Sequence, residues 1–209
     1  MLAKVRHPNL LLFIAGVLDH PSGSPIIITE LLDTSLRKAY TDYLISSDRV
    51  RISIMRDVAA ALNYIHRQKE SIIHRDVSSA NVLLESRGEG NWKAKLSDFG
   101  SANLVQFSTT VGPGAIPYAA PEVPHNQTTK MDVYSYGVLL CEVMLSEFPF
   151  KERFPDMLQS LAGSWSLMHQ LILSCTRHSV ADRVDMMYVL DTFNESFTDV
   201  SVKGFVPLV

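Results

Sequence analysis

Cysteine is scarce in this chain: Cys141 and Cys175 are the only two among 209 residues. One possible bridge cannot staple a scaffold of this length, which excludes the disulfide-framework class. Two reduced, buried thiols in a cytoplasmic protein are the expectation. A surplus of charge is lacking as well. Lys and Arg number 19 against 22 Asp and Glu, a formal net charge of -3. That gives no electrostatic ground for nucleic acid or an anionic membrane surface as partner. Long apolar runs are also absent. Leu10–Leu18 follows Lys4 and Arg6 much as a signal peptide's core would, but Asp19-His20-Pro21 stands where a small-residue cleavage site belongs. The run is far too short to span a bilayer, so no membrane insertion is expected. Repeats and low-complexity segments are missing too. What is present is an ordinary globular composition, 46% hydrophobic and 20% charged, over a length that suits one domain, in one or two lobes.

Periodicity supplies the elements. Leu10–Leu18 and Pro25–Leu32 are β-rich runs around the turn His20–Ser24, and predict an antiparallel pair. Residues 1–6 read as the end of a helix stopped by Pro8. Leu36, Tyr40 and Leu44 predict a short helix over Ser35–Ser47. Val50, Ile54, Val58, Leu62 and Ile65 line one face of a longer helix, with Asp48 as its N-cap. In this reading Tyr64 and His66 are packing and surface residues. Residues 98–122 read as loop. The segment 128–146 is apolar nearly all round, the signature of a buried helix. Further helices are predicted at 155–163, 165–177 and about 184–196, the last with Val184, Met187, Val189 and Leu190 inward.

Residues 72–100 carry the chemistry. Val82-Leu83-Leu84 and the alternating Trp92-Ala94-Leu96 bracket a polar turn and predict a β-hairpin, with Asp76, Asn81 and Asp98 at its ends. Two carboxylates and an amide among hydrophobic strands are costly without partners, and metal ions with a phosphorylated ligand would offset that cost.

The spacing gives a resemblance. His74-Arg75-Asp76-Val77, three residues and then Asn81 resembles the protein-kinase catalytic loop; Asp98-Phe99-Gly100 and Ala120-Pro121-Glu122 resemble two further kinase signatures, in the right order. The implied fold is α+β, protein-kinase-like: a mostly helical C-lobe (33–209) with a remnant of the β-sheet N-lobe and the start of the hinge (1–32). The phrases LAKVRHPNLLLFIAG and MDVYSYGVLLCEV look most like the tyrosine-kinase-like and tyrosine-kinase branches.

The resemblance also assigns roles, with ATP and Mg as cofactors and a protein substrate or regulatory protein as partner. Asp76 would receive the acceptor's hydrogen bond, Asp98 would ligate magnesium, and Asn81 would hold a second ion. Thr29 would be the gatekeeper, the backbone of Glu30, Leu31 and Leu32 would meet adenine, and Leu83 would form the pocket floor. Arg75 would pair with a phosphate at Ser108, Thr109 or Thr110. Asp132 would accept hydrogen bonds from the catalytic-loop backbone, and Glu122 would pair with Arg183. Leu2, Phe13, His74 and Phe99 would form a packing spine.

The chain departs from the family pattern in three places. It contains no G-x-G-x-x-G and no V-A-I-K, and is expected to be an N-terminally incomplete kinase domain that alone binds ATP weakly and turns over little. Ser78 stands where serine/threonine kinases place a lysine, and Ala80 where tyrosine kinases place an arginine. Ala115 replaces a threonine. The expected function is transfer of the ATP γ-phosphate to a Ser/Thr or Tyr hydroxyl. The alternative is a pseudokinase-like binding or scaffold module.

Overall fold

A computed structural model of the chain describes residues 5–17, 19, 26–98, 103–104, 116–125 and 127–197. Strands β1 (Phe13–Val17) and β2 (Ile26–Thr29) pair antiparallel, from Phe13 opposite Thr29 to Val17 opposite Ile26. The strand expected over Leu10–Leu18 is therefore shorter. Leu10 instead turns inward as a single bridge to Leu96. Val5 and Arg6 are not helical, and the rest of the segment read as 1–6 lies outside the described residues.

Strand β3 (Thr34–Ser35) leads into α1 (Leu36–Thr41), whose first turn is capped by the Ser35 hydroxyl. The helix stops well before the expected Ser47. Tyr43 takes a left-handed φ of 57°, which ends helical geometry and leaves Leu44 exposed. Helix α2 (Asp48–His66) is the expected long one. Its cap is Ser47 rather than Asp48: the Ser47 Oγ accepts the Val50 N–H at 3.3 Å, while Asp48 sits in the first turn where its charge complements the helix dipole. Ile54, Met55, Val58, Leu62 and Ile65 are buried along its inner face.

That face packs on the hairpin of β5 (Val82–Ser86) and β6 (Trp92–Leu96), which follows the short β4 (Ile72–Ile73). Val82, Leu84, Ala94 and Leu96 alternate inward and are fully buried. The turn holds Gly88, Glu89 and Gly90 all at positive φ, a geometry glycine adopts without steric cost. Strand β6 is the edge of the sheet β3-β5-β6, and its outer backbone groups are satisfied one by one. Asp57 Oδ2 accepts the Ala94 N–H, Asn9 Nδ2 donates to the Ala94 carbonyl, and Leu96 exchanges bonds with Asn9 and Leu11. The strand leading to Asp98 is thus held on both sides.

Residues 98–122 are not all loop: β7 (Asn103–Leu104) pairs with β4, and Ile116–Tyr118 form a 3₁₀ turn. Helix α3 (Thr129–Leu145) runs through the centre, buried over most of its surface. Against it pack α2, α4 (Phe154–Ser164) and α5 (Ser166–Cys175), while α6 (Met186–Ser196) packs on α2. The inward stripe of α6 is Met186, Val189 and Phe193; Val184 precedes the helix, and Met187 faces out, contrary to expectation. Among the described residues no helix is long and apolar enough to cross a membrane.

Candidate active site

The loop between β4 and β5 is organised by one buried carboxylate. Asp132, in the first turn of α3, accepts the His74 N–H through Oδ2 and the Arg75 N–H through Oδ1, each at 2.8 Å. Its Oδ2 also accepts from His66 Nε2 at 2.8 Å. An ionised carboxylate with several donors can remain buried, because charge-assisted hydrogen bonds replace its water. His66, at the end of α2, is thus a structural support of this loop rather than a surface residue. Its signal was invisible to periodicity, since its partner lies 66 residues away.

Arg75 takes φ 74° and Asp98 φ 58°, left-handed values for residues that carry a Cβ. Such strain costs about 1–3 kcal/mol and persists where surrounding bonds over-determine the backbone. At Arg75 the Asp132 bond supplies that restraint. The turn brings His74, fully buried, beneath the site. Its Nε2 donates to the Ser97 carbonyl at 2.8 Å, and its Nδ1 accepts the Asp76 N–H at 3.3 Å. Those partners fix the neutral Nε2–H tautomer. Burial lowers the His74 pKa, outweighing the charges of Asp132, Asp76 and Asp98, so the ring stays neutral at physiological pH.

Asp76 and Asn81 are brought into direct contact. Asn81 Nδ2 donates to Asp76 Oδ2 at 2.8 Å and to the Asp76 carbonyl at 2.9 Å. The Asn81 amide nitrogen is thereby spent on Asp76, which leaves Oδ1 as the group it can offer elsewhere. Ser97 donates both its N–H and its hydroxyl to the Asn81 carbonyl, each at 2.8 Å. Asp98, the next residue, is exposed at the end of this tie. The three residues singled out by spacing therefore share one end of the hairpin: two in contact, the third one residue beyond a shared bond. Oxygen donors of this kind suit a hard divalent cation.

The proposed nucleotide-side residues are placed less uniformly. Thr29 ends β2 with its hydroxyl on the Glu30 carbonyl at 3.2 Å. Glu30 uses its side chain structurally: Oε1 accepts the Leu12 N–H at 2.7 Å, and Oε2 pairs with Lys95 of β6 at 2.6 Å. Leu31 is 96% exposed, and Leu83 is half-buried on β5, opposite Lys95. The Glu30–Lys95 pair ties the segment after β2 to the strand that ends at Asp98.

Arg75 is buried. Ser108, Thr109, Thr110, Phe99, Gly100, Leu2 and Ala115 lie outside the described residues. Glu122 and Arg183 meet as expected, in a bidentate pair at 2.6 and 3.1 Å.

A helical body around a central buried helix thus anchors the polar loop that carries Asp76 and Asn81, beside the hairpin that ends at Asp98. The chain belongs to the protein kinase domain family, whose model matches residues 1–192. It is 34% identical over 181 residues to the dual specificity protein kinase splA of Dictyostelium discoideum, covering 78% of this chain and 8% of that protein. It is 30% identical over 233 residues to the dual specificity protein kinase shkD of the same organism, covering 97% of this chain and 29% of that protein. The serine/threonine-protein kinase CTR1 of Arabidopsis thaliana is 31% identical over 173 residues, 78% of this chain and 20% of CTR1. The chain thus spans less than a third of the length of these relatives.

Proposed function

We propose that the protein carrying this chain transfers the γ-phosphate of ATP to a hydroxyl of a protein, with Asp76, Asn81 and Asp98 as the working residues. The observation that carries this reading is the Asp76–Asn81 contact, held by the Asp132 and Ser97 bonds beneath it. Phosphoryl transfer asks a protein chiefly for positioning and charge stabilisation. The Asp76 carboxylate orients the acceptor oxygen and receives its hydrogen bond. Asn81 holds that carboxylate in place through Nδ2, and its Oδ1 would serve as a ligand to a cation. Asp98 offers its carboxylate from a backbone held in the left-handed region. Magnesium suits this donor set, and when bound would neutralise charge on the phosphates. Thr29, the backbone of Glu30 and Leu31, and Leu83 are the proposed nucleotide contacts, in a hinge and N-lobe segment spanning 1–32. Membership of the tyrosine-kinase-like branch and a cytoplasmic location belong to the same proposal.

The test is magnesium-dependent transfer of radiolabelled phosphate from ATP to a protein acceptor by the full-length protein. Asp76→Ala is expected to lower the rate by about 10²–10⁴-fold, the usual contribution of a positioned acid–base group. An unchanged rate would overturn the assignment. Nucleotide binding without transfer in the parent protein would favour the scaffold alternative.

A further inference from the structure

The loop that carries Asp76 and Asn81 shows no cation of its own at the surface. Arg75 is buried, His74 is buried and neutral, and Ser78 is buried. Ala80 is exposed but offers only a methyl group. A cation reaches the loop from another element instead. Arg37, in the first turn of α1, donates its backbone N–H to the Ser79 carbonyl at 3.0 Å. Its Nε donates to Ser79 Oγ at 3.0 Å and its Nη2 to the Tyr118 hydroxyl at 3.1 Å. The guanidinium carbon lies 4.8 Å from the centroid of the Phe148 ring.

Behind these anchors lies Glu142 of α3, which has no exposed surface. Its carboxylate accepts the Tyr40, Ser79 and Tyr118 hydroxyls, each at 2.6 Å. Those hydroxyls give their protons to Glu142, so the Ser79 and Tyr118 oxygens remain acceptors for Arg37. Glu142 is thus satisfied without the guanidinium, and no described carboxylate forms an ion pair with Arg37. A guanidinium has five N–H groups, and the cluster uses two of them. Among the described residues, the Nη1 protons and one Nη2 proton have no acceptor. Burial lowers the Arg37 pKa, but the Tyr118 bond and the Glu142 charge outweigh it, so the group keeps its charge. The side chain is partly exposed.

A guanidinium pinned by two bonds and stacked on a ring has little freedom left to lose. Its planar fork takes a carboxylate through two parallel hydrogen bonds. Arg37 and Glu142 together carry no net charge, which suits a singly charged carboxylate better than a phosphate dianion. Ser79 lies three residues beyond Asp76. Their Cα atoms are therefore at most about 11 Å apart, a span that an extended acceptor covers with about three residues.

We propose that Arg37 is a specificity-determining residue: its guanidinium binds the carboxylate of an aspartate or glutamate lying within about three residues of the acceptor hydroxyl. The proposal rests on the phosphotransferase reading.

The experiment uses the full-length protein and synthetic peptides with a central serine or tyrosine. Glutamate or glutamine is placed at each of the three positions on either side, in an otherwise alanine–glycine sequence. KM and kcat are measured by phosphate transfer, and Kd by fluorescence anisotropy of the labelled peptide. The readout is the glutamate-over-glutamine ratio within each protein, which a merely structural role for Arg37 would not move. At one or more positions glutamate is expected to lower KM and Kd about tenfold, as a charge-assisted bond implies. Added salt should shrink that ratio. Arg37→Gln should bring it to about one. Arg37→Lys should leave a smaller ratio than Arg37, since an ammonium lacks the fork, and it decides the matter if the glutamine variant fails to fold. A ratio near one at every position in the unsubstituted protein, no measurable binding of any glutamate peptide, an undiminished ratio in either variant, or an effect carried by kcat alone would each overturn the proposal. If no peptide is phosphorylated, the phosphotransferase reading fails while the Kd ratios still decide the carboxylate site.

Discussion

Arg183 makes five hydrogen bonds from a fully buried side chain: two to Glu122, two to the Arg177 carbonyl and one to the Lys130 carbonyl, with its guanidinium 5.1 Å from the Tyr134 ring centroid. Arg183→Ala would leave a largely buried carboxylate and two carbonyls without that partner. A loss of about 3–5 kcal/mol in unfolding free energy is expected by chemical denaturation. Arg183→Lys should recover little of it, since an ammonium cannot reproduce the planar fork. The two thiols make a second case. Burial pushes Cys141 and Cys175 up from 9.0 to about 12, with Glu142 and Glu147 adding to the effect at Cys141 and Arg183 opposing it at Cys175. The neutral thiol is therefore favoured in the folded state. Their contribution to stability is full below pH 9 and is lost as pH rises toward 12. Neither thiol should react with a thiol-titrating reagent at pH 8 until denaturant is added, when two equivalents should appear; prompt native reaction would contradict the burial. Legibility divides sharply at this scale. The bonds of Asp132, Glu122 and Arg183 could be read because short motifs fix their partners, and motif spacing also placed Asn81 beside Asp76. His66, Ser79 and Glu142 could not, because their partners lie 24 to 102 residues away and belong to no short motif. The one clue was a glutamate inside the apolar run Leu139–Met144.

At the level of elements, α3 shows why helices were easier to read than strand ends. An all-round apolar helix has to be central, and α3 is. Its packing on α5 is close enough to require a glycine. A Cβ on Gly137 would stand 2.7 Å from the Cys175 Cβ and 2.8 Å from Thr176 Cγ2. The threonine methyl can turn aside, but the Cys175 Cβ is fixed to its backbone. Gly137→Ala would gain about 1 kcal/mol in helix propensity and lose about 1–3 kcal/mol to overpacking. Net destabilisation is expected, seen as a lower denaturation midpoint at unchanged m-value; a more stable variant would show that α3 and α5 can move apart. Where the reading failed, the cause was local backbone geometry rather than hydrophobic pattern. The left-handed Tyr43 truncates α1, and Ser47 takes the cap from Asp48 because its hydroxyl reaches the Val50 N–H. In α6 Val189 is inward as read, while Met186 takes the place given to Met187 because Asp185 fixes the helix start by capping the Tyr188 N–H.

Across the whole molecule, apolar surface is distributed unevenly. The helical body buries most of its hydrophobic residues, whereas the β1–β2 pair and its approach show Ile14 at 58% exposure, Ile27 at 59%, and Leu12, Val17, Ile26 and Ile28 exposed as well. Side chains alternate across a strand, so Ile26 and Ile28 lie on one face and Ile27 on the other. Both faces are therefore apolar, and a two-stranded sheet has two unpaired backbone edges besides. Its ties to the body include Lys95–Glu30 and the backbone bond from Leu11 to Leu96. Such a surface favours pairing with another chain more than solvation. The 209-residue chain is expected to self-associate with rising concentration in sedimentation velocity. The double substitution Ile14→Lys with Ile27→Lys should shift it toward monomer, because added like charges on the exposed pair oppose association. The denaturation midpoint should barely move, since these side chains contribute little to the core. Monomeric behaviour of the unsubstituted chain at high concentration would show that the exposed sheet is not an associating surface. A lowered midpoint in the double variant would show that the sheet supports the body more than its few ties suggest.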